Sequence, residues 1–221
     1  MITKPLEVQA SLLAADFLNL SKEIRRAEAS GADLLHVDVM DGRLVDDISF
    51  GVKNVEDICA FTGMPVDVHL MIEAPQSFAS RMADAGAKIV TIQFEPCKEI
   101  FRTITTIQEK GAEAAICIAP ETSVSSLGSV IEWADRILLV SVSLGLGGQK
   151  FIPSILSKLA DLIELRRKSN RKFKIGVDGG ITLENSNQIK SLNIDYLVAG
   201  TAIFSAMDIN GAVKRLKQNC P

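Results

Sequence analysis

Histidine is scarce in this chain, with two residues in 221. Stacking aromatics are scarce too, with one Trp and one Tyr, and 24 Lys and Arg do not outnumber 27 Asp and Glu, for a net charge of −3. Nucleic-acid surfaces want basic stripes and stacking rings, so that class of partner is excluded. No apolar run approaches the roughly 18 residues of a membrane-crossing helix. Residues 1–5 hold no apolar stretch of signal-peptide length, so a cytoplasmic protein without a membrane partner is expected. The cysteines Cys59, Cys97, Cys117 and Cys220 lie far apart without CxxC spacing, which reads as reduced thiols rather than a disulfide framework. No linker or charge block divides the chain, so a single domain over 1–221 is expected. What is abundant is apolar: 47% hydrophobic residues exclude disorder and suffice for a sizeable core.

Short β-branched runs alternate with amphipathic segments along the whole length. Strands are expected over 7–12, 33–39, 66–70, 88–94, 114–118, 136–142, 173–177 and 196–199. Most are near-continuous apolar runs, as in parallel strands covered on both faces. Helical spacing covers 20–29, 78–85, 100–110, 155–168 and 212–218. Asp16, Pro75, Thr122 and Pro153 read as helix starts, and Gly31, Gly86, Gly111 and Asn193 as helix stops. Eight β-α units in 221 residues fit a compact (β/α)8 TIM barrel of the α/β class. A doubly wound open sheet would carry a glycine-rich turn after its first strand. Here that turn is Ala14-Ala-Asp-Phe17, without glycine.

In a barrel the reacting groups gather at the C-terminal ends of the strands. Strand two carries His36-Val-Asp-Val-Met-Asp-Gly42, strand three Asp67-Val-His-Leu-Met71, and strand seven Val177-Asp-Gly-Gly180. Period two puts His36 and Asp38 on one face. Both histidines, His36 and His69, thus fall on neighbouring strands, with Asp38 and Asp178 in otherwise apolar surroundings. A buried carboxylate is costly unless paired or bound to a metal. The four residues either ligate a divalent cation or form an ion-pair cluster. As a donor set, two imidazoles with two carboxylates suit one Zn²⁺ first, with Fe²⁺, Mn²⁺ or Co²⁺ compatible. Gly147-Gly148, Gly179-Gly180 and Gly200-Thr201 follow the last three strands. They are either plain turns or a clamp of backbone N–H groups for a phosphate. Met40 and Met71 each follow a candidate ligand by two residues; they are core packing or an apolar cap over a reacting carbon.

Together, Gln9-Ala-Ser11-Leu-Leu-Ala-Ala-Asp16, His36-Val-Asp-Val-Met-Asp-Gly42, Asp67-Val-His-Leu-Met71, Gly147-Gly-Gln-Lys-Phe-Ile-Pro153, Val177-Asp-Gly-Gly-Ile181 and Val198-Ala-Gly-Thr-Ala-Ile-Phe204 resemble the ribulose-phosphate 3-epimerase family. The resemblance runs in order from about residue 6 to residue 204. It implies a homo-oligomeric (β/α)8 isomerase that inverts C3 of a ketose phosphate with one divalent metal. By position it implies His36, Asp38, His69 and Asp178 as ligands, with Asp38 and Asp178 as the acid/base pair acting through a metal-stabilised enediolate. It further implies substrate contacts from Ser11, Met40 and Met71, and phosphate contacts from Gly147, Gly148, Gly179, Gly180, Gly200 and Thr201.

The chain departs from the family pattern at Arg43-Leu-Val-Asp-Asp47, at Ser143-Leu-Gly-Leu146, at Val140 where methionine is usual, and at Gln93 where histidine is usual. None of these is a candidate ligand, but all fall around the expected substrate. Rival readings are therefore an epimerase of a hexulose 6-phosphate such as allulose 6-phosphate, and a non-catalytic sugar-phosphate-binding barrel. A barrel aldolase or decarboxylase would need a strand-end lysine, and Lys88 falls at the wrong end of its strand.

Overall fold

The computed structural model describes residues 6–169 and 171–218, so Cys220 lies outside the described residues. Eight parallel strands close into a barrel in chain order, with β1 pairing both β2 and β8. They are β1 (Glu7–Ser11), β2 (Leu34–Met40), β3 (Val66–Met71), β4 (Ile89–Gln93), β5 (Glu113–Ile118), β6 (Arg136–Val140), β7 (Lys174–Asp178) and β8 (Tyr196–Ala199). The outer layer holds α1 (Leu20–Ser30), α2 (Val52–Phe61), α3 (Ala79–Asp84), α4 (Ile100–Glu109), α5 (Ile155–Lys168), α6 (Ser186–Lys190), α7 (Thr201–Phe204) and α8 (Ile209–Lys217). Between β5 and β6 the crossover is a 3-10 segment, Val124–Glu132, broken at Gly128. The result is a single-domain (β/α)8 barrel. Among the described residues no helix is long and apolar enough to cross a membrane.

Strand alternation divides the side chains into two cores. On β2 and β3, Leu35, Val37, Val39, Val66, Val68 and Leu70 face the helices and join the main hydrophobic core. The alternate positions, Leu34, His36, Asp38 and Met40 on β2 and Asp67, His69 and Met71 on β3, point into the barrel. Both faces are covered, so every residue of these two strands is buried. That is why their sequence reads as a near-continuous apolar run into which a few polar residues are set.

All eight expected strands form, with ends shifted by a residue or two. Asp16 accepts from the Leu18 N–H and so starts a 3-10 turn (Phe17–Asn19) ahead of α1. Pro75 likewise opens a 3-10 turn. The cap before the 3-10 segment is Ser123, accepting from the Ser125 N–H, rather than Thr122. Gly31 and Asn193 adopt the positive φ of a helix stop. Helix α2 escapes the periodicity because only Val55 and Ile58 of its ten residues are buried.

A repeated device pins the N-terminal rim. Asp33, Asp135 and Asp195 each precede a strand, and each carboxylate accepts the N–H of the second residue of the strand before it: Val8, Ala114 and Ile175, at 2.8–2.9 Å. These bonds tie the start of one strand to the chain entering the next.

Candidate active site

Register sets the height of each polar group along the barrel. His36 stands opposite Asp67, Asp38 opposite His69, and Met40 opposite Met71. The two histidines are therefore mid-strand and two residues out of step, with the methionines one layer nearer the C-terminal mouth. Asp178, the last residue of β7, reaches the same point from across the barrel. One donor atom from each of His36, Asp38, His69 and Asp178 lies within 4.8 Å of all the others. His36 and His69 are fully buried, and Asp178 is 19% exposed at its side chain.

Each carboxylate has a different setting. Asp38 accepts from the Ser11 hydroxyl at 2.9 Å through Oδ2, while its Oδ1 lies 3.1 Å from His36 Nε2 and 3.2 Å from His69 Nδ1. Burial would push the Asp38 carboxyl up, but the two imidazoles outweigh it and hold it well below the usual carboxylate range. Among the described residues Asp178 has only His36 Nε2, at 3.9 Å, as an ion-pair partner. Burial and the neighbouring Asp38 charge push its carboxyl up to about 6. His36, desolvated yet flanked by Asp38 and Asp67, is held well above the usual imidazole value. Two carboxyl groups driven apart in this way suit opposite protonation roles in one cavity.

The donor set fits a divalent cation. It offers two imidazole nitrogens and two carboxylate oxygens converging on one point, with a second hydrogen-bonding partner behind each ring. His36 Nδ1 lies 3.2 Å from Gln9 Oε1, and His69 Nε2 lies 3.0 Å from Gln93 Oε1. Gln93 thus supports a ring rather than contacting the cavity.

Above this point a cavity of about 370 Å³ opens towards the C-terminal mouth. Ser11, Met40, Met71, Gly147, Gly148, Gly179, Gly180, Gly200 and Thr201 all line it, as do Val140, Leu144 and Leu146. Met40 and Met71 pack with Val45, Leu13, Leu44 and Leu144 into an apolar roof. Loops after β6 and β7 are locked together. Gly179 and Gly180 have φ of +99° and +62°, and a Cβ on Gly180 would stand 2.4 Å from the Phe151 nitrogen. Only glycine permits that approach. Gln149 braces the β6 loop by donating to the Ser143 and Leu146 carbonyls at 2.6 and 2.8 Å. Among the described residues no Lys or Arg lines the cavity, while Asp38, Asp178 and Glu184 do. An anion entering here relies on backbone N–H groups and on any cation held between the ligands.

Arg43 does not reach the cavity; it pairs with Glu73 at 2.6 Å on the surface. Asp41 accepts from the Arg43, Leu44 and Glu73 N–H groups, fixing the β2 loop to the β3 loop. Sequence reasoning passed over Gln9, Asp67 and Glu95. The signal was present as polar residues at period two: Glu7-x-Gln9-x-Ser11, Asp67-x-His69 and Thr91-x-Gln93-x-Glu95.

A closed (β/α)8 barrel with convergent imidazoles and carboxylates beneath a glycine-lined mouth has the layout of a barrel enzyme. Residues 7–204 match the sequence model of the ribulose-phosphate 3 epimerase family. The chain is 38% identical to ribulose-phosphate 3-epimerase of Bacillus subtilis, covering 96% of this chain and 98% of that protein. It is 37% identical to the enzyme of the same name from Aquifex aeolicus, over 94% and 93% of the two chains. The chain belongs to the ribulose-phosphate 3-epimerase family and is an isomerase of the epimerase type. Among solved structures, KGPDC from Streptococcus mutans superposes with a TM-score of 0.70 at 16% identity, covering 97% of this chain and 96% of that one. At that identity the likeness shows the fold alone.

Proposed function

We propose that this protein interconverts ribulose 5-phosphate and xylulose 5-phosphate, with Asp38 and Asp178 as the acid/base pair. The observation that carries this reading is the convergence of two differently tuned carboxylates from strands β2 and β7 on one cavity. The relatives named as ribulose-phosphate 3-epimerases support the pentulose over a hexulose 6-phosphate.

In the proposed cycle one aspartate takes the proton from C3 as the C3–H bond breaks, and the electron pair moves towards the C2 carbonyl oxygen. The planar enediolate then receives a proton from the other aspartate on its opposite face, restoring the ketone with C3 inverted. The roles exchange in the reverse direction. Ser11 holds Asp38 in position through its hydroxyl. The Gly147–Gly148, Gly179–Gly180 and Gly200–Thr201 backbones would take the phosphate, and the roof of Met40 and Met71 would keep water from the reacting carbon. His36, Asp38, His69 and Asp178 would hold a divalent ion, Zn²⁺ first by ligand chemistry. When bound, that ion supplies Lewis-acid stabilisation to oxygen charge developing on the substrate, an effect of several kcal/mol.

A lysine-dependent lyase finds no support, since among the described residues no lysine lines the cavity and Lys88 precedes β4 at the opposite end of the barrel. The test is C3 proton exchange in D₂O, followed by NMR on metal-defined protein with ribulose 5-phosphate and a hexulose 6-phosphate as alternative substrates. Exchange and inversion of the pentulose at kcat/KM at least tenfold above the hexulose are expected. Preference for the hexulose would overturn the substrate, and no exchange on either would overturn the reaction.

A further inference from the structure

Two glutamines stand behind the two histidines in matching arrangements. Gln9 accepts from His36 Nδ1 through Oε1 while its Nε2 donates to Glu7 Oε1 at 3.0 Å. Gln93 accepts from His69 Nε2 through Oε1 while its Nε2 donates to Glu95 Oε2. A carboxylate only accepts, so each glutamate dictates which end of the amide faces it. The amide oxygen is then left facing the imidazole, and an oxygen can only accept from that ring nitrogen. The ring proton is fixed on the outer nitrogen, so the inner nitrogen, which faces Asp38 Oδ1 here, is the one whose lone pair is left for a bound cation.

We propose that the Gln9–Glu7 and Gln93–Glu95 pairs are positioning residues that lock the two histidines in opposite tautomers. His36 is held as Nδ1–H, presenting Nε2, and His69 as Nε2–H, presenting Nδ1, to the point shared with Asp38 and Asp178. This rests on the reading of those four residues as metal ligands. The two locks differ in strength. Behind His36 there is also a carboxylate, Asp67 Oδ2, in an ion-pair contact 3.3 Å from Nδ1 without a hydrogen bond, and Asp67 itself is held by the Thr91 hydroxyl at 2.7 Å. Behind His69, among the described residues, stands Gln93 alone. Glu95 is in turn fixed, because its Oε1 accepts from the Ala119 N–H at 2.8 Å and from the Thr122 hydroxyl.

That asymmetry selects the experiment. In Glu95→Gln the new amide must keep its oxygen on the Ala119 N–H, which turns its NH₂ towards the NH₂ of Gln93. Gln93 then rotates, its NH₂ faces His69 Nε2, and the ring proton is driven to Nδ1. In the exchanged variant Gln93→Glu/Glu95→Gln, donor and acceptor are swapped between the two positions and His69 Nε2 again faces an acceptor. Two readouts are used: Zn²⁺ affinity of the full chain by chelator competition, and long-range ¹H–¹⁵N spectra of the histidine rings.

The Zn²⁺-loaded parent should show His36 as Nδ1–H and His69 as Nε2–H. Glu95→Gln should lose about 10–100-fold in Zn²⁺ affinity, the usual effect of removing an outer-shell partner, and the exchanged variant should recover to within about threefold of the parent. Reversed tautomers in the parent overturn the proposal without any variant. So does Glu95→Gln with undiminished affinity, or an exchanged variant as weak as the single one. His69→Ala with undiminished Zn²⁺ affinity would instead overturn the ligand assignment itself, which keeps the two failures distinct.

Discussion

Replacement of Arg136 by methionine should destabilise the protein by about 3 kcal/mol, near the lower end of the range for breaking a buried ion pair. Arg136 opens β6 at the N-terminal foot of the barrel and is only 3% exposed. Its Nη1 donates to Glu7 Oε1 at 2.5 Å and its Nε to Glu113 Oε2 at 2.6 Å, while the guanidinium lies 5.3 Å from the Tyr196 ring centroid. Methionine fills much of the volume but leaves Glu7 without its main counter-charge. The loss stays below the 5 kcal/mol extreme because Lys174 Nζ remains 3.1 Å from Glu7 Oε2 and Gln9 still donates to Oε1. Glu113 is nearer solvent and loses little.

For a chain of this size about 3 kcal/mol corresponds to a Tm drop of roughly 6–12 °C. Urea unfolding at pH 7 measures it directly, and Glu7→Gln/Arg136→Met should cost less than the two single changes added, by about 0.5–3 kcal/mol. The pH dependence follows from Glu7. Burial pushes its carboxyl up, but the Arg136 hydrogen bond and charge, with help from Gln9 and Lys174, leave it below the ordinary value of 4.5. Stability from this group is therefore full above pH 4.5 and is lost as pH falls through the depressed folded value. Glu7→Gln should unfold with a shallower acid limb than the parent. A loss under about 1 kcal/mol for Arg136→Met, the worth of a solvated surface pair, would refute the account of a desolvated network. Epimerisation by Arg136→Met well below the melting range should be little changed, because Lys174 still holds Glu7 and the Glu7 carboxylate still orients the Gln9 amide.

At the opposite end, Asp178→Asn should lower kcat for epimerisation by about 10²–10⁴, the usual worth of a general acid or base. Solvent exchange at C3 should survive from the one epimer whose proton faces Asp38, and equal loss of exchange from both epimers would count against a two-sided mechanism. Gly180→Ala forces a Cβ against the Phe151 nitrogen at a φ of +62°. It should raise KM more than it lowers kcat and cost about 1–3 kcal/mol in urea; an unchanged KM would remove this loop from the phosphate contact. Zn²⁺ at 100 times its Kd should add about 2.7 kcal/mol of stability, a rise of roughly 5–11 °C in Tm, which EDTA should reverse.

The cluster of His36, Asp38, His69 and Asp178 was legible as a candidate site because its residue types are rare in the strands that carry them. Two histidines in the whole chain, and aspartates in apolar runs, stand out without any coordinates. Their supports were harder to read, since a glutamine or glutamate in or just beyond a short strand resembles ordinary rim polarity. Gln9 and Gln93 gain meaning only when the barrel closes and β1 is set beside β2 and β4 beside β3. Helix α2 was missed for a related reason. Its buried residues are few, and Lys53, Glu56 and Asp57 on its exposed side mask the period. The loop departures also changed weight: Leu144 and Leu146 do line the cavity, whereas Arg43 is spent on a surface pair with Glu73.

The barrel interior is divided lengthwise, and that division links stability to chemistry. Strands β1 to β4 send inward a polar column in which Glu7, Gln9, His36 and Asp38 are hydrogen-bonded in series, Asp38 also holds Ser11 and His69, and His69 holds Gln93. Asp67 and Thr91 bond each other beside it. Strands β5, β6 and β8 send inward Cys117, Leu138, Val140, Tyr196 and Val198, an apolar wall. The wall keeps water from the column, so its dipoles act in a low dielectric and hold their orientations more stiffly than they would in water. A polar column of this kind is costly if any member loses its partner. The ion pairs at the foot supply the fixed charges from which the orientation of Gln9, and through it His36, is propagated upward. The geometry of His36, beneath the mouth, is therefore set partly by residues at the foot of the barrel, on the same chain of hydrogen bonds.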